Sequence, residues 1–146
     1  MRSTPNKESK MLHSLEEEEE AQNIIVRGGR FESESAAQSG NRLEIEGSSN
    51  AQEVISRTSE INLIIITFPA FTDGRGFSLA KQLRELGYDK TLRAKGHLLV
   101  DQYPLALRCG FDEIEISQNQ AARQPEQQWF EVLARVNNNY LDKLMP

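Results

Sequence analysis

Leu63-Ile64-Ile65-Ile66-Thr67-Phe68 is the stretch that decides the fold. Its side chains are almost all apolar and mostly β-branched, with no polar–apolar alternation. This is the pattern of a strand that is covered on both faces, as in a parallel sheet. The turn residues Pro69 and 73–76 end the strand. An apolar stripe at helical spacing follows, formed by Phe77, Ala80, Leu83 and Leu86. The order strand, turn, helix predicts one βα unit.

The same order recurs towards the C-terminus. We predict strands over 91–95 and 114–116, separated by a helix over 98–109. A third helix opens at Pro125, where the missing N–H is harmless. Its buried stripe comprises Trp129, Val132, Leu133, Val136, Tyr140 and Leu141.

An internal echo supports this repeat. Leu86-Gly87-Tyr88-Asp89 returns as Cys109-Gly110-Phe111-Asp112, 23 residues later. Helices commonly end at a glycine in the left-handed conformation, and the next apolar residue packs back on the last turn. Each copy is therefore predicted to be the joint between a helix and the following strand.

Pro104 lies inside the second predicted helix. It removes one backbone hydrogen bond there and crowds the carbonyl of Val100. Either the helix kinks at this point, or a short turn from Leu98 precedes a helix that begins near Tyr103.

Together these elements predict an α/β fold. Consecutive parallel strands need crossover helices, so residues 61–146 are predicted to form a small parallel sheet of consecutive βα units. This core is either half-barrel-like or an open sheet with three layers. Residues 23–60 are predicted to pack on it, with short strands over 23–26 and 42–45 and a short helix over 51–57, capped by Ser49 or Asn50. Residues 1–22, with five consecutive glutamates, are predicted to be a disordered acidic tail.

Composition narrows the class of protein. The chain has 146 residues and a net charge of -5, with no broad basic surface, so we expect no nucleic-acid partner. The longest apolar run is far shorter than the roughly 20 residues of a membrane helix, and the start lacks the apolar core of a signal peptide. Cys109 is the single cysteine, which fits a reducing compartment. We therefore expect a cytoplasmic protein that does not enter the membrane.

Parallel α/β folds bind ligands at the carboxyl ends of their strands. Three loops are predicted there, over 71–78, 95–97 and 117–124. In the first loop, Gly74 and Gly76 allow close approach, and the helix start offers free N–H groups that Arg75 and Ser78 could supplement. Phosphate, sulfate or a carboxylate would suit such a place. The alternative is that Asp73 caps the helix and the glycines only make a turn.

Further charged groups are predicted near the same edge. Arg93 and Lys95 point to one side of their strand, so at least one should pair with a carboxylate, and Asp73 and Asp101 could complete an ion network. His97 could act as an acid or base, or be a cap or surface residue. Cys109 is expected to be a packed thiol, since a helix C-terminus disfavours a thiolate. The candidate anion-binding residues are thus Asp73, Gly74, Arg75, Gly76, Ser78, Arg93, Lys95, His97 and Asp101.

Several of these segments resemble a known family. FTDGRGFSLA (71–80), Leu83-Arg84, LRAKG (92–96), Asp101-Gln102 and RCGFD (108–112) occur in order and at suitable spacing. They are similar to the motifs of a bacterial family of unknown function whose members are often labelled "oxidoreductase probably involved in sulfite reduction". That label rests largely on genes that neighbour those of assimilatory sulfate and sulfite reduction. The resemblance, over about residues 43–117, implies a cytoplasmic role near sulfur assimilation and brings no established catalytic residue. His97 departs from an expected Asp, and Lys90 from an expected Gly.

Three functions follow as expectations. The first is an accessory protein of assimilatory sulfite or sulfate reduction that binds a small anion or a reductase partner. The second is an oxidoreductase whose cofactor is unknown, because no flavin, nicotinamide, haem or metal motif is evident and one cysteine cannot hold an iron–sulfur cluster. The third is a non-catalytic module that forms a homo-oligomer, because a small sheet has exposed edges. A half-barrel paired with another copy and an open sheet extended by the N-terminal strands would both solve that problem.

Overall fold

The fold is an alternation of strands and helices along the chain. The computed structural model describes residues 22–34 and 40–144, so the predicted acidic tail lies outside the described residues except for Gln22. In chain order the elements are β1 (Ile24–Arg27), β2 (Arg30–Ser33), β3 (Arg42–Glu46), α1 (Ala51–Ile55), β4 (Leu63–Phe68), α2 (Arg75–Glu85), β5 (Thr91–Gly96), a 3-10 turn (Val100–Gln102), α3 (Tyr103–Arg108), β6 (Glu113–Ile116), α4 (Gln118–Arg123) and α5 (Glu126–Leu144).

The strands of the described residues form one open sheet in the order β2-β1-β6-β5-β4-β3. From β3 to β6 every neighbouring pair is parallel, which confirms the predicted sheet of consecutive βα units. β1 joins β6 in the antiparallel sense, and β2 joins β1 likewise. The N-terminal strands therefore extend the sheet at both ends, with the β1–β2 hairpin at one edge and β3 at the other.

One face of the sheet carries the apolar core. Alternate residues of the strands, such as Ile64, Leu92 and Ile114, belong to a single buried cluster with side chains from the helices. Trp129 and Val132 of α5 are buried there as predicted, whereas the side chains of Tyr140 and Leu141 lie outside the described residues. All the helices that contribute to this cluster thus cover the same face of the sheet.

The two predicted helix-to-strand joints are confirmed. Gly87 and Gly110 have φ values of 102° and 107°, in the left-handed region that glycine tolerates. The N–H groups of Tyr88 and Phe111 each donate to the carbonyl five residues earlier, at 3.0 Å in both cases. Both aromatic rings are buried. The echo is therefore a repeated Schellman ending.

The second predicted helix is divided. Residues 100–102 form a 3-10 turn, and α3 begins at Tyr103 with Pro104 in its first turn. A single helix over 98–109 was wrong, and the alternative of a turn before a helix near Tyr103 is confirmed. The reason is that a proline is accommodated in a first turn, where its missing N–H has no helical partner.

The structure defines one helix cap and adds one helix and one strand to the predicted elements. Asn50, rather than Ser49, caps α1, since its side chain accepts from the N–H of Glu53. Residues 117–124, predicted to be a loop, contain α4, which Ser117 caps. Strand β2 was missed. Gly28 and Gly29, both with positive φ, make the tight turn that folds it back on β1.

Candidate functional site

The carboxyl ends of the four parallel strands meet at one edge of the sheet. We define the rim as the loops that leave this edge, at 47–50, 69–74, 97–99 and 117. The N–H of His97 donates to the carbonyl of Phe68, with 3.1 Å between nitrogen and oxygen. The Gln102 amide donates to the carbonyl of Phe71 (2.7 Å) and accepts from the N–H of Leu99 (2.9 Å). The turn that leads to Arg75 and the segment around His97 thus lie on the same rim, as the parallel arrangement of the strands predicts.

Glutamines of α4 and its C-terminus brace the rim further. The Gln120 amide, which is buried, donates to the carbonyl of Leu98. The Gln124 side chain accepts from the N–H of Val100 at 3.2 Å, and the Gln124 carbonyl accepts from the Trp129 indole at 2.8 Å. These bonds join β5, α4 and α5. The loop after β5 is consequently held from both sides.

Arg75 is already engaged by a carboxylate. Its Nη2 lies 2.8 Å from Oδ2 of Asp73, and Oδ1 of Asp73 accepts from both the Nε (3.0 Å) and the backbone N–H (3.1 Å) of Arg75. The hydrogen bonds from Arg75 lower the pKa of Asp73 to about 2. Asp73 therefore occupies the place that an incoming anion would take. The N-cap of α2 is Gly74 and no side chain caps it, so Asp73 lies one residue before the cap and accepts from the first N–H of the helix.

Glycines at the helix start bring parts of the chain itself together. A Cβ on Gly76 would lie 2.4 Å from Cζ of Phe68, and a Cβ on Gly47 would lie 2.7 Å from the nitrogen of Gly76. Both approaches are too close for any side chain. Gly74 is open, with nothing within 4 Å of its added Cβ, and Ser78 is exposed on α2. At Gly76 the space that we assigned to a ligand is filled by protein atoms.

Arg93 and Lys95 lie on the sheet face opposite the helices. The Arg93 side chain is fully buried, and its Nε and Nη1 lie 2.6 Å from Glu113 and 2.9 Å from Glu115. Lys95 Nζ lies 3.8 Å from Glu115. Pairing with a carboxylate is thus confirmed. These ion pairs do not run to Asp73 or Asp101, however, because those residues lie beyond the strand ends and not on this face.

Arg93 is the centre of a cluster of charges. Burial by itself lowers the pKa of Arg93, but hydrogen bonds and the charge of Glu113 hold it above its ordinary value. Glu113 also accepts from Arg27 of β1 at 3.0 Å, and Glu34 lies 3.1 Å from Arg93. We call this set the ion cluster; its members are Arg27, Glu34, Arg93, Glu113 and Glu115. Because Arg27 is the last residue of β1 and Glu34 directly follows β2, the cluster ties the N-terminal hairpin to the parallel sheet.

Sequence reasoning missed four of these five residues. A signal was present, since Glu113 and Glu115 alternate with isoleucines as Arg93 and Lys95 alternate with Ala94. The register places Arg93 opposite Glu113 and Lys95 opposite Glu115. Matching the two alternating charge pairs across neighbouring strands would have identified this part of the cluster.

Two large apolar side chains are exposed on the rim. Phe71 and Leu99 are 51% and 38% exposed, and the single amide of Gln102 joins their two backbones. His97 is exposed on the same loop as Leu99, and Asp101 is exposed in the 3-10 turn. The rim thus carries two exposed apolar side chains and an exposed histidine.

At the opposite end of the sheet, the side chain of Arg84 connects the two helix-to-strand joints. Its guanidinium donates to the carbonyls of Tyr88 (2.8 Å), Lys90 (2.7 Å) and Gly110 (2.8 and 3.0 Å), and to the carboxylate of Asp112 (2.8 Å). The two Schellman endings are therefore held by one side chain. Cys109, half-buried, lies at this end, away from the rim.

The described residues show neither a metal-binding cluster nor a membrane-spanning helix. Residues 22–34 and 40–144 contain no group of three or more His, Cys, Asp or Glu placed to hold a metal ion. Over the same part of the chain, no helix combines the length and apolarity needed to span a membrane.

The comparisons with known proteins identify the family. Neither the curated proteins nor the solved structures gave a match. The family model described as "Bacterial protein of unknown function (DUF934)" matches residues 42–144. The match begins at β3 and includes the whole rim, and it extends beyond the region whose motifs suggested such a family. The chain therefore belongs to the DUF934 family of bacterial proteins of unknown function.

Proposed function

We propose that this chain is an accessory protein of assimilatory sulfite or sulfate reduction that binds a sulfite reductase through its rim. The observation that carries the proposal is the pair Phe71 and Leu99, exposed on loops that one glutamine holds together. Single exposed apolar residues are ordinary. Two exposed apolar residues on loops that a hydrogen-bonding side chain joins, one of them aromatic, resemble the anchors that dominate protein interfaces. The sulfite-reduction part rests on the motif resemblance, which also supports a cytoplasmic site of action.

A protein partner is better supported than a small anion. An anion at the helix start would have to displace Asp73 from Arg75, whose two side-chain bonds to that carboxylate are 2.8 and 3.0 Å long. Charge-assisted bidentate pairs are among the stronger hydrogen bonds. A partner surface needs no such displacement, because Phe71 and Leu99 are exposed as they stand.

A growth experiment tests the proposal. The gene is deleted, and the strain is grown with sulfate, sulfite or cysteine as the sulfur source. We expect slower growth on sulfate and sulfite, normal growth on cysteine, and rescue by the wild-type chain. The Phe71→Ser/Leu99→Ser double variant should fail to rescue. Leu86→Ser is the matched control, since Leu86 is 43% exposed but lies at the opposite end of α2. Normal growth of the deletion strain on all three sources would reject the proposal.

A further inference from the structure

The edge formed by β3 is unpaired within the described part of the chain. β3 is the last strand of the sheet and pairs with β4 on its inner side. Arg42, Glu44 and Glu46 are exposed, whereas Leu43 and Ile45 pack with the core. A free edge offers backbone N–H and C=O groups to any strand that can match it.

The backbone direction of β3 is set by its bonds to the neighbouring strand. The carbonyl of Asn41 accepts from the N–H of Asn62 at 2.8 Å, and the carbonyl of Ile45 accepts from the Thr67 hydroxyl at 3.3 Å. Odd-numbered residues thus turn their backbone groups towards β4. Since successive residues of a strand alternate, Arg42, Glu44 and Glu46 turn theirs towards the outer edge.

This pattern is self-complementary. If two copies of β3 run antiparallel about a two-fold axis at Glu44, Arg42 faces the partner subunit's Glu46 and Leu43 faces the partner's Ile45. Outward-turned residues then form the hydrogen-bonded pairs of an antiparallel ladder, as that ladder requires. The two ends carry opposite charges, so Arg42, which pairs with Glu34 within its own chain, would at each end also face Glu46 of the partner subunit.

The like charges at the axis are partly offset. Glu44 of one copy would face Glu44 of the partner subunit, but Nζ of Lys95 lies 3.5 Å from Oε1 of Glu44 within each copy. Edges that resist pairing are commonly short or carry charged side chains, above all lysine, or prolines or bulges. Charges of opposite sign, placed at equal distances from the strand centre, instead favour a partner with the same sequence.

We propose that β3 is a homodimerisation edge that pairs antiparallel with β3 of a second copy, in a register centred on Glu44. The sheets of the two copies then become continuous. Stable interfaces bury about 1,200–2,000 Å², and a five-residue edge buries less. The dimer is therefore weak and depends on protein concentration. The edge ends at Glu46, where the rim begins, but it does not include Phe71 or Leu99, on which the proposed reductase contact depends.

Disulfide trapping tests the register. The variants are made in a Cys109→Ser background, so that only the introduced thiols can react. In the proposed register, position 44 faces itself with Cα atoms about 5.5 Å apart, which a disulfide can bridge. Glu46→Cys is the matched control, because the two copies of position 46 lie about 14 Å apart at ~3.4 Å per residue.

We expect mild oxidation to give a covalent dimer from Glu44→Cys and none from Glu46→Cys alone. An equal mixture of Arg42→Cys and Glu46→Cys chains should also give a covalent dimer. Two results would overturn the proposal. The first is an equal yield of covalent dimer from Glu44→Cys and Glu46→Cys. The second is the absence of a covalent dimer from Glu44→Cys, or its absence from the mixture.

A charge exchange tests the same contact without covalent bonds. Arg42→Glu and Glu46→Arg should each weaken self-association in sedimentation equilibrium about tenfold, because each places two like-charged pairs in the homodimer. Mixing the two variants should restore association, since the mixed dimer regains both ion pairs. Wild-type chains that stay monomeric up to about 1 mM, where weak complexes form, or a mixture that associates no better than its components, would contradict it.

Discussion

Arg93 and Glu113 form an ion pair inside the protein, with 2.6 Å between Nε and Oε2 and side chains that are 0% and 2% exposed. The pair joins β5 to β6, and the second oxygen of Glu113 accepts from Arg27 of β1. Desolvating an isolated charge costs several kcal/mol. The face of the sheet that the helices cover is held mainly by apolar packing. At the centre of the opposite face, the buried carboxylates need the positive charge of Arg93 to remain paired.

Removing the arginine should destabilise the protein strongly. Arg93→Met leaves the buried Glu113 and Glu115 without their main counter-charge, and we expect the free energy of unfolding in urea to fall by about 3–5 kcal/mol. Lys95→Met is the control. Lys95 is one-third exposed and pairs only at 3.5 and 3.8 Å, so its loss should cost about 0–1 kcal/mol. Similar losses from both variants would show that the buried cluster does not hold the sheet.

Local signals explain what could be predicted from the sequence. Each of these signals spans only a few residues. The apolar run of β4 identifies a strand, and the two glycines at 87 and 110 identify the ends of helices. The spacing of Arg93 and Lys95 shows that they face the same side of a strand. The common rim followed from these signals, because parallel strands place their ends at one edge.

The parts that were missed depend on contacts distant in sequence. Arg93 and Glu113 are 20 residues apart, and Arg27 and Glu113 are 86 apart. Which glutamate faces which arginine follows only from strand register. Gln102 and Gln120 brace the rim, but glutamine has no sequence pattern that reveals a bond to a loop carbonyl. A glycine at position 76 indicates that some group approaches the backbone closely, but the sequence does not show whether that group is a ligand or the ring of Phe68.

The Asp73–Arg75 pair predicts a pH dependence. The hydrogen bonds from Arg75 lower the pKa of Asp73 from 3.8 to about 2. Because this pKa is lower in the folded chain, the contribution of the pair to stability is present above pH 3.8 and is lost as the pH falls through about 2.

Carboxyl NMR titration can measure this value directly. In Arg75→Ala the pKa of Asp73 should rise towards its ordinary value without reaching it, because the N–H of residue 75 still donates. Glu46→Gln, a nearby change outside the pair, should leave it low. A pKa that does not move in Arg75→Ala would mean that the guanidinium is available to an anion.

The anion version of the site has its own test. Sulfite, sulfate and phosphate are titrated into the protein by calorimetry. We expect no saturable heat, because Asp73 holds Arg75. Saturable binding that Arg75→Ala abolishes, with binding retained in Arg123→Ala as the control, would restore the rim as an anion site.

The two Schellman endings should respond unequally to a methyl group. Gly87→Ala meets no neighbouring atom, so it should lose only about 1–2 kcal/mol for its left-handed backbone. In Gly110→Ala the added Cβ lies 2.6 Å from Cγ of Arg84. Arg84 must then move and lose bonds, so we expect a further loss of at least about 1 kcal/mol in chemical denaturation. Equal losses would show that Arg84 does not hold the two joints.

The proposed function depends most on the rim as a docking surface for a reductase. The direct measurement is the affinity of the purified chain for the purified sulfite reductase holoenzyme of the same bacterium, by biolayer interferometry. We predict binding that Phe71→Ser and Leu99→Ser each weaken by at least about tenfold, and that Leu86→Ser leaves unchanged. No binding by the wild-type chain, or an equal loss in Leu86→Ser, would contradict the account.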